Sequence, residues 1–208
     1  MRQQARSDPK TGLLKESSWS EAGATELLRA RRTGYDSGLL VLDLDHFERA
    51  NDCHGHLVGD NILCAVIVCA VADTLRAEVR AGDLVGQQFV ILLPGRGKFD
   101  ALAIAERIRC RVAATTVSVA SPDTQSQFVG VTVSIGVTAH PHGGTTLGPL
   151  LEAANSALCA KAAGRNRAVG SAVAVAKKSS HRDGVQFFAQ VGRSEDIWVA
   201  GAPDRRSQ

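Results

Sequence analysis

The sequence predicts an α/β (α+β) fold in which a central sheet is flanked by helices. One observation behind this prediction is the apolar run Leu39-Leu40-Val41-Leu42, which has the length and composition of a buried strand. A second is that other strand-like and helix-like segments follow this run in mixed order. The chain turns acidic directly after the run, and ligands collect where strands leave the sheet in such folds. We therefore expect a binding site at this edge.

Five segments are predicted to be helical from their apolar spacing and their end signals. The first is stopped by Gly34, and the second begins where Asp45 and Glu48 have the spacing of a capping box. A polar, glycine-containing loop is expected over residues 51–59, before the third helix. The predicted helices cover residues 17–32, 45–50, 60–79, 98–113 and 147–163.

Five further segments are predicted to be strands, at residues 38–44, 89–93, 117–120, 129–138 and 167–175. The fourth of them alternates in hydropathy, as a strand with one buried face does. From Lys177 onward the composition changes to a polar linker or exposed loop. Residues 185–191 and 197–200 are apolar enough to form short strands or a partner-binding segment.

The most specific motifs lie between Val41 and Leu63. They read Asp43-Leu44-Asp45-His46-Phe47, then Asn51-Asp52, then Gly55-His56-Leu57-Val58-Gly59-Asp60. This order resembles the nucleotide-binding signature of the GGDEF family, the diguanylate cyclases. Further matches, on both sides of this segment, occur in the same order as in the family, so the resemblance covers roughly residues 8–170. They are Asp8-Pro9-Lys10-Thr11-Gly12-Leu13, Val131-Thr132-Val133-Ser134-Ile135-Gly136-Val137, Ala157-Leu158-Cys159-Ala160-Lys161 and Gly164-Arg165-Asn166.

The resemblance implies a nucleotide-cyclase-like domain with a central mixed five-stranded sheet flanked by helices. It assigns residues 1–175 to this domain and leaves residues 176–208 as a C-terminal extension. We expect the extension to be a small appended element or a partly disordered tail. In the family, two facing subunits each bind GTP with Mg²⁺ and join the two nucleotides into cyclic di-GMP.

The chain departs from the family at the motif that names it, where it reads Gly86-Gln87-Gln88-Phe89. Both signature carboxylates have become carboxamides, and the hairpin is shortened. Gln87 and Gln88 can neither neutralise Mg²⁺ nor accept a proton at neutral pH. No catalytic residue is therefore expected here, and Gly86-Gln87 is predicted to form a two-residue type II′ turn.

The resemblance also assigns roles to residues at the site. Asp43, through its carboxylate, and Leu44, through its carbonyl, occupy the metal-binding positions, although Asp43 could instead cap a neighbouring helix. Asn51 and Asp60 occupy the positions that read guanine, and Asp60 could also serve as a helix N-cap. Asp45 is not expected to be a ligand, because capping explains it.

Two further pairs of residues match functional positions of the family. Lys161 and Arg165, one helical turn apart near the end of the last predicted helix, would meet the phosphates of GTP. Their alternative is a favourable interaction with the helix C-terminus. Arg80 and Asp83 match the family's inhibitory site for cyclic di-GMP, at what is predicted to be a helix end.

Composition narrows the range of partners. The net charge of +3 and an aromatic content of 4% favour neither a nucleic-acid interface nor base stacking. The most apolar stretch is shorter than a membrane span, and the N-terminus lacks the apolar core of a signal peptide. The five cysteines are scattered without paired spacing, which favours a reducing, cytoplasmic location.

Three functional readings follow from the sequence. The leading one is a catalytically inactive GGDEF domain in cyclic di-GMP signalling that binds GTP, with Mg²⁺, or cyclic di-GMP, or pairs with a partner protein or with a second copy. The second is an interaction module whose pocket is vestigial. The third is a weakly active diguanylate cyclase in which Asp43 and Asp45 hold the metal unaided.

Overall fold

The computed structural model describes residues 6–65, 80–85, 88–119, 127–140, 146–159, 164–172 and 197–199. The helices in these ranges are α1 (Glu16–Thr33), α2 (Phe47–His54), α3 (His56–Leu63), α4 (Lys98–Ala114) and α5 (Leu147–Cys159). The strands are β1 (Ser37–Asp45), β2 (Arg80–Val85), β3 (Gln88–Pro94), β4 (Thr116–Val119), β5 (Gln127–Gly130), β6 (Thr132–His140), β7 (Ala168–Ala172) and β8 (Ile197–Val199).

Six strands form the central sheet, in the order β2-β3-β1-β6-β7-β8. Among the described strands, only β6 and β7 pair in parallel, whereas β1 is antiparallel to both of its neighbours. The predicted mixed sheet flanked by helices is confirmed, but the sheet has six strands instead of five. The sixth strand, β8, comes from the predicted C-terminal extension and pairs with β7. The predicted strand at residues 117–120 lies outside this sheet, because β4 pairs with β5 in a separate two-stranded sheet.

The central strand β1 is buried on both faces and divides the core into two layers. Leu40, Leu42 and Leu44 pack on one face, where the apolar side of α4 contributes Ala101, Ala105, Ile108 and Val112. Leu39 and Val41 face the other way, towards Trp19 and Leu27 of α1 and Leu150, Ala154 and Leu158 of α5. Successive side chains of a strand point to opposite faces, so one apolar run fills both layers. Packing on both faces thereby fixes β1 as an inner strand of the described sheet.

The predicted strand over residues 129–138 was wrong in its extent. The chain breaks at Val131 into β5 and β6, and β6 continues to His140. Nearly every residue of β6 is buried, since α4 and α5 cover its two faces. A strand covered on both sides has no solvent face to impose a strict alternation.

The predicted loop over residues 51–59 was also wrong. Residues 51–54 complete α2, and α3 starts at His56, so that Gly55 alone separates the helices with φ 82°. A single glycine in a positive-φ conformation makes this sharp turn, and polar composition alone overestimated its length. The predicted helix over residues 60–79 begins earlier than expected, and residues 66–79 lie outside the described part of the chain.

The short hairpin between β2 and β3 keeps its pairing. Val85 lies opposite Gln88, so two residues connect the strands. The register shifts between Asp83 and Val85, which places a local irregularity at Leu84. Gly86 and Gln87 lie outside the described residues, so the type II′ turn stays a prediction.

Candidate nucleotide-binding site

A pocket of about 260 Å³ opens where β1 leaves the sheet. It is lined by Asp43, Leu44, His46, Phe47, Glu48, Arg49 and Arg165. The residue that turns the chain from β1 into α2 is His46, in the left-handed conformation with φ 58°. This tight turn brings the first residues of α2 to the pocket, as the acidic sequence after the apolar strand predicted.

Asp43 and Leu44, the predicted metal-binding residues, lie in the wall of this pocket. Asp43 is largely buried and stands opposite Gln88 in the pairing of β1 with β3. The Gln88 side-chain amide, through Nε2, donates a hydrogen bond of 3.4 Å to Asp43 Oδ2. One of the two signature-position amides therefore contacts the metal-position carboxylate directly.

Asp45 does not start a helix, and the capping-box prediction was wrong. The N-cap position of α2 is His46, and no side chain caps that helix. Asp45 is 2% exposed, and its carboxylate accepts three hydrogen bonds. The donors are Thr132 Oγ1 at 2.7 Å, Ser134 Oγ at 2.7 Å and the Asn166 backbone N–H at 2.9 Å. These three hydrogen bonds tie Asp45 to β6 and to the residue that follows Arg165.

The loop that follows α5 carries Arg165 to the pocket. Arg165 is exposed and lies in a bend after Gly164, beyond the predicted helix over residues 147–163. Asn166 has a positive φ of 54°, and its side-chain oxygen accepts a hydrogen bond of 2.8 Å from Arg109 Nη1 on α4. Lys161 lies outside the described residues, so its proposed partnership with Arg165 stays a prediction.

Asn51 and Asp60, the predicted guanine-reading residues, are brought together by the turn between α2 and α3. Asn51 Oδ1 packs so closely against Gly59 that a Cβ there would lie 1.6 Å away from it. This oxygen is buried and has no hydrogen-bond partner among the described residues. Asp60 follows Gly59 inside α3, so its alternative role as an N-cap was wrong.

Lys10 contacts a predicted site residue, and sequence reasoning did not single it out. Its ammonium group, through Nζ, donates to Asp60 Oδ2 at 2.6 Å, across 50 positions of the chain. This hydrogen bond raises the pKa of Lys10 and keeps the side chain charged. No local pattern signals a contact at such a separation, and only the folded chain shows it.

The turn that presents Lys10 is built by Asp8. Its Oδ1 accepts hydrogen bonds from the backbone N–H groups of Lys10 and Thr11, at 3.0 and 2.9 Å. Thr11 Oγ1 donates to the same oxygen. Hydrogen bonding from the Thr11 backbone is the main cause that lowers the pKa of Asp8, so this turn is stable with Asp8 ionised.

Arg80 and Asp83 lie on β2 and not at a helix end, which corrects their predicted setting. On this strand Arg80 is opposite Leu92, and Asp83 is opposite Phe89. Gln87 lies outside the described residues. Both residues therefore lie on β2, the strand at one edge of the described sheet, and their role as an effector site stays a prediction.

Comparison with known proteins identifies the family. The model of the diguanylate cyclase GGDEF domain matches residues 5–167. The chain belongs to the GGDEF family. The diguanylate cyclase DgcP of Pseudomonas aeruginosa is 37% identical over 171 residues, which are 80% of this chain and 24% of that protein. The chain thus spans about a quarter of the length of this relative.

Solved GGDEF domains share the architecture. The GGDEF domain of DgcB from Caulobacter crescentus, in complex with c-di-GMP, superposes with a TM-score of 0.74 at 26% identity. That match covers 82% of this chain and 98% of the other. The diguanylate cyclase SiaD of Pseudomonas aeruginosa, in complex with its activator SiaC, gives 0.72 at 34% identity, covering 79% and 61%.

The pocket of this GGDEF domain contains ligand types that Mg²⁺ prefers. Asp43 and Leu44 offer a carboxylate and a carbonyl, and Mg²⁺ in proteins commonly combines one or two carboxylates with substrate phosphates. The described residues contain no cluster of three or more histidine, cysteine or acidic side chains that would hold a metal without phosphate. Within those residues, no helix has the combined length and hydropathy needed to cross a membrane.

Proposed function

We propose that this GGDEF domain is a catalytically silent member that binds a guanine nucleotide in cyclic di-GMP signalling. The observation that carries the proposal is the hydrogen bond from the Gln88 amide to Asp43. An amide donor stands where the family places a carboxylate, so this position neither binds Mg²⁺ strongly nor takes up a proton. Loss of a general base alone typically removes ~10²–10⁴ in rate.

The pocket suits the phosphate half of such a ligand. The first backbone N–H groups of α2 have no partner within the helix and lie beside the pocket, where the helix dipole favours an anion. Arg165 adds a guanidinium with two-pronged geometry for phosphate oxygens. Mg²⁺ held by Asp43 and Leu44 would neutralise further phosphate charge when the nucleotide is bound.

The turn between α2 and α3 suits the guanine half. Lys10 presents a donor beside the acceptor oxygens of Asp60, and guanine presents an acceptor, O6, beside the donors N1–H and N2–H. The adenine edge carries its donor and acceptor in the opposite order. The side-chain amide of Asn51 lies against Gly59 in the same turn, and an amide can both donate to and accept from a base edge.

Calorimetric titration of the purified protein with GTP and with cyclic di-GMP, each with and without Mg²⁺, and with ATP as a comparison, tests the proposal. We expect GTP to bind, to bind more tightly with Mg²⁺, and to be preferred over ATP. Binding of cyclic di-GMP alone would instead favour the Arg80 and Asp83 region as an effector site. If neither ligand binds, the interaction-module reading replaces this one, and a protein partner becomes the object of the search.

Base recognition has its own test in Asp60→Ala and Asn51→Ala. Each change removes one contact to the guanine edge, so each is expected to weaken GTP binding by about tenfold while leaving ATP binding unchanged. Asp100→Ala, on the exposed start of α4, is the matched control and is expected to bind GTP normally. Equal GTP affinity in Asp60→Ala would refute the guanine-reading role.

The expected lack of diguanylate cyclase activity is tested by incubating the protein with GTP and Mg²⁺ and assaying cyclic di-GMP. We expect no product above a protein-free control. Product that disappears in the Asp43→Ala variant would overturn this part of the proposal and establish weak cyclase activity. Nucleotide binding and catalysis are separate measurements, so either part can fail alone.

A further inference from the structure

We propose that Asp45 is a positioning residue that holds Arg165 at the nucleotide phosphates. This inference rests on the proposed nucleotide binding and deepens it. The buried carboxylate of Asp45 accepts a hydrogen bond of 2.9 Å from the backbone N–H of Asn166, the residue directly after Arg165. Arg165 lines the pocket that also contains Asp43.

The loop that carries Arg165 is otherwise exposed and needs such an anchor. Residues 164–166 are exposed, and Gly164 has a φ of 129°. An arginine side chain on a free loop would lose much conformational entropy on binding a phosphate. Fixing the backbone beside it lowers this cost before the ligand arrives, and preorganised groups bind more tightly for that reason.

Two further contacts fix the loop at the same point. Arg109 Nη1 donates to the side-chain oxygen of Asn166, and the Ile135 backbone N–H donates to the carbonyl of Arg167 at 2.9 Å. Asp45 is nevertheless the central anchor, because it also accepts from Thr132 and Ser134 on β6. It therefore joins the loop to β6 through the end of β1.

The GTP affinity of the Asp45→Asn variant distinguishes a positioning role of Asp45 from a metal-binding role. The amide of Asn keeps one oxygen to accept from Thr132 and the Asn166 N–H, while its NH₂ can donate to the Ser134 hydroxyl. A positioning role is therefore preserved in this variant. A metal-ligand role would be impaired, because the variant loses the negative charge.

The experiment measures GTP and guanosine affinities, with Mg²⁺, for the wild type, Asp45→Ala, Asp45→Asn, Arg165→Ala and the double variant Asp45→Ala/Arg165→Ala. We expect Asp45→Ala to weaken GTP binding by about tenfold and to leave guanosine binding unchanged. Asp45→Asn is expected to bind GTP like the wild type. The double variant should be no weaker than Arg165→Ala, since residues acting through one contact are not additive.

The controls are Thr132→Val and Ser134→Ala, which each remove one other donor to Asp45 and leave the tie to Asn166 in place. Both are expected to bind GTP normally. If Asp45→Ala does not fold, the triple variant Asp45→Ala/Thr132→Val/Ser134→Ala replaces it. Asp45→Ala alone would leave three donors without an acceptor, and the triple variant removes two of them. Removing both partners of a hydrogen bond is far less costly than removing one.

The outcomes separate this inference from the proposed function. If the wild type binds no GTP, both the proposed function and the positioning role of Asp45 are refuted. If the wild type binds GTP, then an equal loss for GTP and guanosine in Asp45→Ala, or additive losses in the double variant, overturns the positioning role alone. A loss of Mg²⁺-dependent GTP binding in Asp45→Asn would assign Asp45 to the metal.

Discussion

At the scale of single residues, Gln88 on β3 lies opposite Asp43 on β1 and donates a hydrogen bond to its carboxylate. This contact places an uncharged amide beside a carboxylate of the pocket. Replacing Gln88 with Glu would place two carboxylates opposite each other, which is destabilising unless a cation lies between them. We expect Gln88→Glu to lower the free energy of unfolding by about 1 kcal/mol without Mg²⁺. Millimolar-range Mg²⁺ should restore it, because an ion that binds only the folded state stabilises that state.

Thermal unfolding with and without Mg²⁺ measures this effect. Gln88→Ala is the control, since it removes the amide without adding charge and should show no dependence on Mg²⁺. If Mg²⁺ leaves the melting temperature of Gln88→Glu unchanged, the side chains at positions 88 and 43 do not share a cation site.

Tyr35 gives a second prediction for a single residue. Burial, followed by a hydrogen bond to Glu26, raises the pKa of Tyr35 to about 12. Because the folded pKa lies above the unfolded value of about 10, the stabilisation is complete below pH ~10 and is lost as the pH rises towards ~12. Tyr35 is the one tyrosine in the sequence, so tyrosinate absorbance reports it alone.

We expect a titration midpoint well above the ordinary tyrosine value while circular dichroism still shows a folded protein. Glu26→Gln should lower the midpoint, because it removes the acceptor charge and leaves the burial. An ordinary midpoint in the folded wild type would contradict the half-buried, hydrogen-bonded setting of the phenol.

The roles of individual residues were only partly predictable. Asp43, Leu44 and Arg165 were assigned to one site by motif, and the structure places all three around one pocket. Asp45 was misassigned because its capping-box spacing to Glu48 is a local pattern, whereas its partners lie on β6 and in the loop after α5. Contacts between distant segments leave no trace in local spacing.

At the scale of elements, the approach of α5 to β6 depends on Gly136. A Cβ on this residue would lie 2.0 Å from the backbone carbonyl oxygen of Ala154, a distance that real Cβ atoms essentially never show. Gly136→Ala would therefore push the helix away from the sheet. Overpacking of this kind typically costs about 1–3 kcal/mol, and we expect a loss of that size in the free energy of unfolding.

Urea denaturation measures the loss, and Gly148→Ala is the matched control on α5. A Cβ at Gly148 would have no neighbour within 4 Å, so that variant is expected to be neutral or slightly more stable. Equal stability of Gly136→Ala and the wild type would mean that α5 is free to shift on the sheet.

Elements were predicted well where one physical signal dominates. The apolar runs gave β1 and β3 nearly to the residue, and Gly34 ends α1 as expected. The predictions failed where two helices meet at one glycine, as at Gly55, and where both faces of a strand are covered, as in β6. In both cases the neighbouring elements decide the outcome, and the sequence of the segment alone does not contain them.

At the scale of the whole molecule, the fold class and the central mixed sheet followed from the sequence. Residues 197–200 were expected to form a short strand or a partner-binding segment, and they contain β8, but its pairing with β7 at the edge of the sheet was not predicted. β8 lies beyond the family match, which ends at residue 167, and it adds an antiparallel strand against β7. Pairing at an edge is weakly specified by sequence, because an exposed strand accepts many partners.

The tie between Asp45 and Asn166 joins residues that lie 121 positions apart in the chain. A ribosome makes the first strand early and the loop after α5 late, at about 5–20 residues per second. The pocket is therefore incomplete for several seconds after β1 emerges, although most of its acidic wall already exists. Nascent chains that stop short of this loop would lack Arg165, and the proposed nucleotide binding would begin only once this part of the domain had been translated.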